Sequence, residues 1–224
     1  EAVELAGRVL NIEGRVEPVT LSDVTLCVEG VDGRPVKGQF TIAHQEIAKR
    51  PKIWLEPTAV ANPAAVRAIL RADLVVVAPG NLYGSLAPVL VIDGIRRALH
   101  ETRAKCVYVC NLVTKPGPTD GFTVKDFASE IERLAGGEFL DYVVFNNDEP
   151  SPELMEKYAH GGELVVKYDL NELRRQHYEF RGVPILAKQA WTGAQASDPI
   201  ASARSFIRHD SDAVARQLMR LYFA

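Results

Sequence analysis

The chain has 224 residues, 47% of them hydrophobic and 25% charged, with a formal net charge of −3. This is the composition of a globular protein with a sizeable core. It holds no basic block of the kind a nucleic-acid groove needs, and no apolar run near the roughly 20 residues of a membrane span.

The first element is a helix, from the spacing of Val3, Leu5, Ala6, Val9 and Leu10. Strands are expected at 14–19, 24–29 and 36–42, with Asp32-Gly33 as the hairpin turn between the last two. Residues 12–55 thus form a small antiparallel unit ending at Ile53-Trp54-Leu55. After Pro57 the rhythm becomes α/β. Asn62 caps a helix that has Pro63 in its first turn and runs to about Arg71. Leu74 to Ala78 is a continuous, largely β-branched run, which predicts a parallel strand covered on both faces. Pro79-Gly80 ends it, and an apolar helix is expected over 87–100.

Lys105–Cys110 is the next strand, followed by a loop from Asn111 to Gly121. Thr123 and Asp126 then open a helix as a capping box with Asp in place of Glu. Asp141–Phe145 is a third strand, and Ser151-Pro152 starts another helix. Residues 163–166 and 184–188 are expected as edge or late strands. Arg208 to Ser211 leads into a final amphipathic helix through Leu221. Cys27, Cys106 and Cys110 form no Cys-x-x-Cys pair and read as buried free thiols. The five histidines are too scattered to imply a metal cluster.

Three strand–helix pairs at short spacing predict an α/β fold: a Rossmann-like, doubly wound, mostly parallel sheet with a small antiparallel β insertion. One domain over 1–224 follows. Its strand C-termini would gather the loops 79–86, 111–122 and 146–150, where ligands of open α/β sheets bind. In the first loop, Gly80, Asn81, Tyr83 and Ser85 stand just before a helix, whose unpaired N–H groups favour an anion. An ordinary strand-to-helix turn accounts for them equally well. In the second, Thr114, Lys115, Thr119 and Asp120 suit a phosphate or a metal, or merely a rigid turn. Asn146 and Asn147 suit sugar hydroxyls or base edges, with Asp148 and Glu149 as a cation alternative, and a polar loop before Pro150 accounts for all four more simply. Arg208 can pair with phosphate in bidentate fashion, or simply precede a helix cap at Asp210 or Ser211. A modified Ser211 would place its phosphate at a helix start.

Several ordered segments carry a resemblance. They are Pro79-Gly-Asn-Leu-Tyr-Gly-Ser85, Val107-Tyr-Val-Cys-Asn111, Pro116-Gly-Pro-Thr-Asp-Gly121, Leu140-Asp-Tyr-Val-Val-Phe-Asn-Asn147, Ile207-Arg-His-Asp210 and Arg8-Val-Leu-Asn11 with Gly14 to Pro18. In this order they resemble the gluconeogenesis factor (YvcK-like) family, related to the CofD 2-phospho-L-lactate transferases. The resemblance implies a cytoplasmic regulator that binds UDP-N-acetylglucosamine or UDP-glucose, required for growth on gluconeogenic carbon sources and for cell-shape and peptidoglycan control. It implies ligand contacts at Gly80, Asn81, Tyr83, Ser85, Asn111, Thr119, Asp120, Asn146, Asn147 and Arg208, no catalytic residue and no certain cofactor. The CofD relatives instead transfer a phospholactyl or phosphoenolpyruvyl group from a GDP-activated donor to a deazaflavin alcohol, using magnesium. Their Ser-Asn-Pro first loop is absent here. A self-associating scaffold built on residues 12–55, a homo-oligomer, is the third reading. Asn81 and Gly84 stand where the family carries Ser and Thr, and Pro118 where it carries an acidic residue. The family's opening strand and Gly-Gly-Gly-Thr-Gly loop are missing, so the chain is expected to be N-terminally truncated and to lack its first nucleotide-binding βα unit.

Overall fold

The computed structural model describes residues 13–187 and 207–224, together with Leu5 and Val9, both helical. The rest of the helix expected over 1–11 lies outside the described residues, as does Lys188 of the expected late strand.

The smaller of two sheets is antiparallel, in the order β2-β1-β3, from β1 Thr25–Glu29, β2 Pro35–Lys37 and β3 Ile53–Glu56. Asp32-Gly33 turns the β1–β2 hairpin as expected, closed by the Gly30 N–H on the Arg34 carbonyl at 2.8 Å. The strand expected at 36–42 is corrected: it stops at Lys37. Gly38 takes φ 88°, which cannot continue a strand, and the chain turns into helix α1, Gln39–His44. The strand expected at 14–19 is corrected too. Pro18 has no N–H for a ladder, and its carbonyl is taken by Asn62 Nδ2 at 2.8 Å. Thr20, just past the expected strand, makes an isolated bridge with Ala61, and the Val19 carbonyl accepts the Asn62 N–H at 2.7 Å.

The larger sheet is parallel, in the order β4-β5-β6-β7: Leu74–Val77, Lys105–Val109, Tyr142–Asn146 and Glu179–Val183. Its helices are α2 Pro63–Arg71, a π-helical turn Leu82–Leu86, α3 Ala87–Leu90, α4 Asp93–Glu101, α5 Val124–Ala135, α6 Pro152–His160, α7 Leu170–Leu173 and α8 Ser211–Phe223. The α/β expectation holds, with the parallel sheet flanked by helices. No described helix is long and apolar enough to cross a membrane. Three caps form where the sequence places them. Asn62 Oδ1 accepts the Ala64 N–H at 3.0 Å, Thr123 and Asp126 make both halves of a capping box, and Asp210 Oδ1 accepts the Ala213 N–H at 2.9 Å. Each contributes about 1 kcal/mol.

Alternation along the strands sorts two cores. Val75, Val77, Tyr108, Val143 and Phe145 pack with Ile95, Leu99, Phe127 and Ile131, whereas Leu74, Val107, Val109 and Val144 pack with Leu218 and Leu221 of α8. β4 is not sealed on both faces as expected. It is an edge strand, and Val76 is 36% exposed while Val107 and Val144 are fully buried. β7 is a further correction. Its sequence, Glu-Phe-Arg-Gly-Val, has few apolar residues, yet it pairs with β6 along its whole length. The segment 163–166 makes an isolated bridge, Val113–Val165, and 184–188 contributes Leu186–His209.

The small sheet docks on α5 through polar contacts. Arg50 Nη2 meets Asp126 at 2.7 Å, its guanidinium lies 5.2 Å from the Phe122 ring centre, and Arg133 Nη2 donates to the Pro51 carbonyl at 2.9 Å. On the other side, α4 abuts the segment before α2 closely: a Cβ on Gly94 would sit 2.5 Å from Cβ of Ala61. Both atoms are anchored to backbone, so neither can swing away. Gly94→Ala gains about 1 kcal/mol of helix propensity but suffers an overpacking cost of about 1–3 kcal/mol. A net loss of about 1 kcal/mol in urea unfolding is expected; a stabilised variant would show that the two segments separate freely.

Candidate functional site

β4 and β5 end side by side, with Val77 opposite Tyr108, so the segments after them start from one sheet edge. Asn111 staples them together. Its Nδ2 donates to the Gly80 carbonyl at 2.8 Å, and its Oδ1 accepts the hydroxyl of fully buried Tyr108 at 2.9 Å. The second loop is closed on itself by Thr119, whose Oγ1 accepts from the Lys115 N–H at 2.7 Å and donates to the Lys115 carbonyl at 3.1 Å. The segment 163–167 braces it from outside. Thr114 N–H donates to the Leu164 carbonyl at 2.8 Å, and Val166 N–H to the Leu112 carbonyl at 3.0 Å.

Between the two loops lies a cavity of about 110 Å³. Gly80, Asn81, Tyr83, Asn111, Lys115 and Thr119 line it, closed by Leu82, Val113, Pro118 and Phe127. Among the described residues its wall contains one cation, Lys115, and no carboxylate. Five of the ten expected ligand residues therefore meet in one place. The apolar wall was not expected, although Phe127, Ile131 and Leu134 share a helical spacing that marks the inward face of α5.

The helix behind the first loop is corrected. Instead of one helix over 87–100, the chain enters a π-helical turn at Leu82: the N–H groups of Ser85 and Leu86 both donate to the Asn81 carbonyl, at 2.8 and 3.1 Å. Asn81 Oδ1 caps the Gly84 N–H at 3.0 Å. α3 ends at Leu90, and Ile92 is extended before α4 restarts. The dipole of one long helix is thus not behind this cavity, and its positive character rests on Lys115.

Tyr83 lines the cavity while its hydroxyl turns inward. That hydroxyl donates to Oε1 of Glu130, a carboxylate with no exposed surface, at 2.9 Å. Arg133 grips the same carboxylate with Nε at 2.8 Å and Nη2 at 2.6 Å. Burial first, and the Glu130 charge second, push the Tyr83 hydroxyl far above the ordinary phenol value. It is a fixed donor, not an acid.

The other expected residues lie elsewhere. Ser85 is exposed and outside the cavity wall, as is Asp120. Asn146 Nδ2 donates to the Asp148 carbonyl at 2.6 Å, and its Oδ1 accepts the Ile185 N–H at 3.2 Å. Asn147 Nδ2 donates to the Gly182 carbonyl at 3.2 Å. Both line a separate, larger cavity. Arg208 is half-buried and in the wall of neither. Among the described residues, no three histidine, cysteine or acidic side chains group closely enough to hold a metal ion.

The thiols at the start of β5 and just past its end are inert: burial pushes Cys106 up to about 11 and Cys110 up to about 12. His209 Nε2 donates to the Cys110 carbonyl at 3.1 Å. Burial pushes its pKa below the ordinary imidazole value, with that carbonyl opposing. The unfolded chain therefore takes up this proton before the native chain does, and stability falls with pH below about 6.5. His209→Gln should flatten that part of the stability profile between about pH 7.5 and pH 5.5; an unchanged slope would remove His209 as its source.

The sequence profile described as 2-phospho-L-lactate transferase CofD matches residues 1–186, a stretch that contains both loops and the cavity between them. The chain belongs to the CofD family. Within it, this CofD-family chain is similar to the proteins called gluconeogenesis factors. It is 32% identical to the gluconeogenesis factor of Bacillus subtilis over 222 residues, covering 98% of this chain and 65% of that protein. A Clostridium acetobutylicum protein bearing a provisional form of the same name is 36% identical over 223 residues, covering 98% of this chain and 46% of its own length. The chain thus spans about half to two thirds of these relatives. A crystal structure of a UPF0052-family protein from Bacillus halodurans superposes with a TM-score of 0.82 at 26% identity, covering 96% of this chain and 65% of that one. Arg208 and α8 lie beyond the stretch the family profile matches.

Proposed function

We propose that this CofD-family chain belongs to a nucleotide-sugar-binding regulator, taking UDP-N-acetylglucosamine or UDP-glucose. It acts in the cytoplasm in growth on gluconeogenic carbon sources and in cell-shape control. The observation that supports this reading is the cavity between the first two loops. Among the described residues its wall has Lys115 and amide groups and no carboxylate, and nearly the whole chain is similar to proteins named gluconeogenesis factor. Its volume of about 110 Å³ suits a phosphoryl group, well short of the roughly 300 Å³ and more that a whole drug-sized ligand fills. In this reading the phosphate sits beside Lys115, and the nucleoside and sugar extend beyond the two loops.

The CofD profile favours a second reading, transfer of a phospholactyl-type group from a GDP-activated donor. That reaction calls for magnesium. Asp120, the one carboxylate on the second loop, would be the residue there to hold it.

Thermal unfolding with UDP-N-acetylglucosamine, UDP-glucose, and GDP with magnesium separates the readings. A ligand at 100 times its Kd adds about 2.7 kcal/mol, which raises Tm by about 5–10 °C in a chain of this size. A rise with UDP-sugars alone supports the regulator. A rise with GDP and magnesium supports the transferase, and no rise leaves the scaffold. Lys115→Ala is expected to weaken UDP-sugar binding about tenfold, or 1.4 kcal/mol, in calorimetric titration; an unchanged Kd would take the phosphate away from this cavity.

A further inference from the structure

A second cavity, of about 700 Å³, lies between the end of β6, α6 and the segment 163–168. The hydrogen bonds that join 112–114 to 164–166 form the ridge between it and the small cavity. The two differ in charge. Asp148, Glu149, Glu156 and Glu163 line the large one against a single described cation, Lys167. None of these four carboxylates is paired with another described side chain. An anionic ligand such as a nucleotide is repelled there. The remaining wall is apolar, from Met155, Tyr158, Leu164 and Val166. Met155, Leu164 and Tyr168 are 36%, 53% and 41% exposed, an apolar patch rimmed with charge, as on interaction surfaces.

We propose that this groove docks a basic, apolar segment of a partner protein, an arginine or lysine stem lying on the apolar wall and its cationic head among the four carboxylates. Charge complementarity selects the sign of the partner. The volume and the exposed apolar rim select a peptide over a small cation, since a lone ammonium leaves most of the wall uncovered. The large groove thus recognises a protein on one side of the ridge while the small cavity takes its ligand on the other.

The test is fluorescence anisotropy of a dye-labelled nonapeptide of alternating arginine and leucine, titrated with the unaltered chain at low and high ionic strength. Binding is expected at low salt and to weaken at high salt. Glu156→Gln combined with Glu163→Gln should weaken it about tenfold, and Lys115→Ala should leave it unchanged. Leu164→Lys, an exposed change on the apolar wall, should weaken it similarly and serves as an independent variant; melting curves confirm that both variants fold. Three results overturn the proposal. They are no binding to the unaltered chain, equal binding of the counterpart peptide with glutamate for arginine, and full displacement by spermine at equal charge concentration, which would make this a small-cation site.

Discussion

Replacing Glu130 by alanine is expected to cost about 3 kcal/mol of folding stability. Glu130 has no exposed surface and holds three hydrogen bonds, one from Tyr83 and two from Arg133. Its removal strands the Tyr83 hydroxyl, on a residue only 2% exposed, where water cannot replace the lost acceptor. Arg133 suffers less. Its side chain is 42% exposed and it keeps the Pro51 carbonyl, so the full 3–5 kcal/mol seen on breaking a buried ion pair is discounted. For a chain of this length the loss corresponds to a Tm lower by about 6–12 °C. Urea unfolding should show an earlier midpoint with an unchanged slope. Glu130→Gln keeps the shape and an oxygen for Tyr83, and should cost about half as much. A loss below about 1 kcal/mol for the alanine variant would mean that water reaches this carboxylate in solution.

Asn111→Ala is the second large effect, and it touches the site directly. The variant leaves the Tyr108 hydroxyl, fully buried, without its acceptor and the Gly80 carbonyl without its donor. About 2–3 kcal/mol of stability is expected to go. The same change frees the first loop from the second, so UDP-sugar binding should weaken by more than the direct contact of one amide explains. A double-mutant cycle with Tyr108→Phe isolates the cause. Phenylalanine has no hydroxyl to strand, so the double variant should lose about 1 kcal/mol less than the sum of the singles. Strict additivity would refute the staple. Asn111→Asp is a sharper probe. It can still accept from Tyr108 but sets an oxygen against the Gly80 carbonyl, and should restore little.

The elements whose signals are local were legible. Asn62 before Pro63, Thr123 with Asp126, and Asp210 before the last helix are caps that satisfy their own first turns, a matter of three residues. Asp32-Gly33 bends a hairpin for the same reason. β4, β5 and β6 announce themselves as short runs rich in β-branched and aromatic residues. β7 does not: Arg181 and Gly182 break the pattern, and the strand exists because β6 offers it a complete ladder. Gly182 fits there because a Cβ would come within 2.8 Å of the Phe145 ring opposite it. The π-helical turn at Leu82 was equally hidden; it carries Tyr83, whose hydroxyl finds its acceptor 47 residues away on Glu130.

The sequence by itself determined the α/β class, the hairpin, the caps and the family, and it singled out six of the residues that line the small cavity, Lys115 and five of the ten expected ligand contacts. Only the tertiary structure decided which of the ten came together. Asn111 meets Gly80 across 31 residues of chain, Tyr83 meets Glu130 across 47, and His209 meets Cys110 across 99. It also set Asn146 and Asn147 to bracing β7 at the mouth of a second cavity of opposite charge. The physical reason is range. Backbone angles, caps and strand periodicity are set by neighbours within a turn or a strand, whereas the partner of a buried hydroxyl or carboxylate is chosen by how the sheet edge and helices pack.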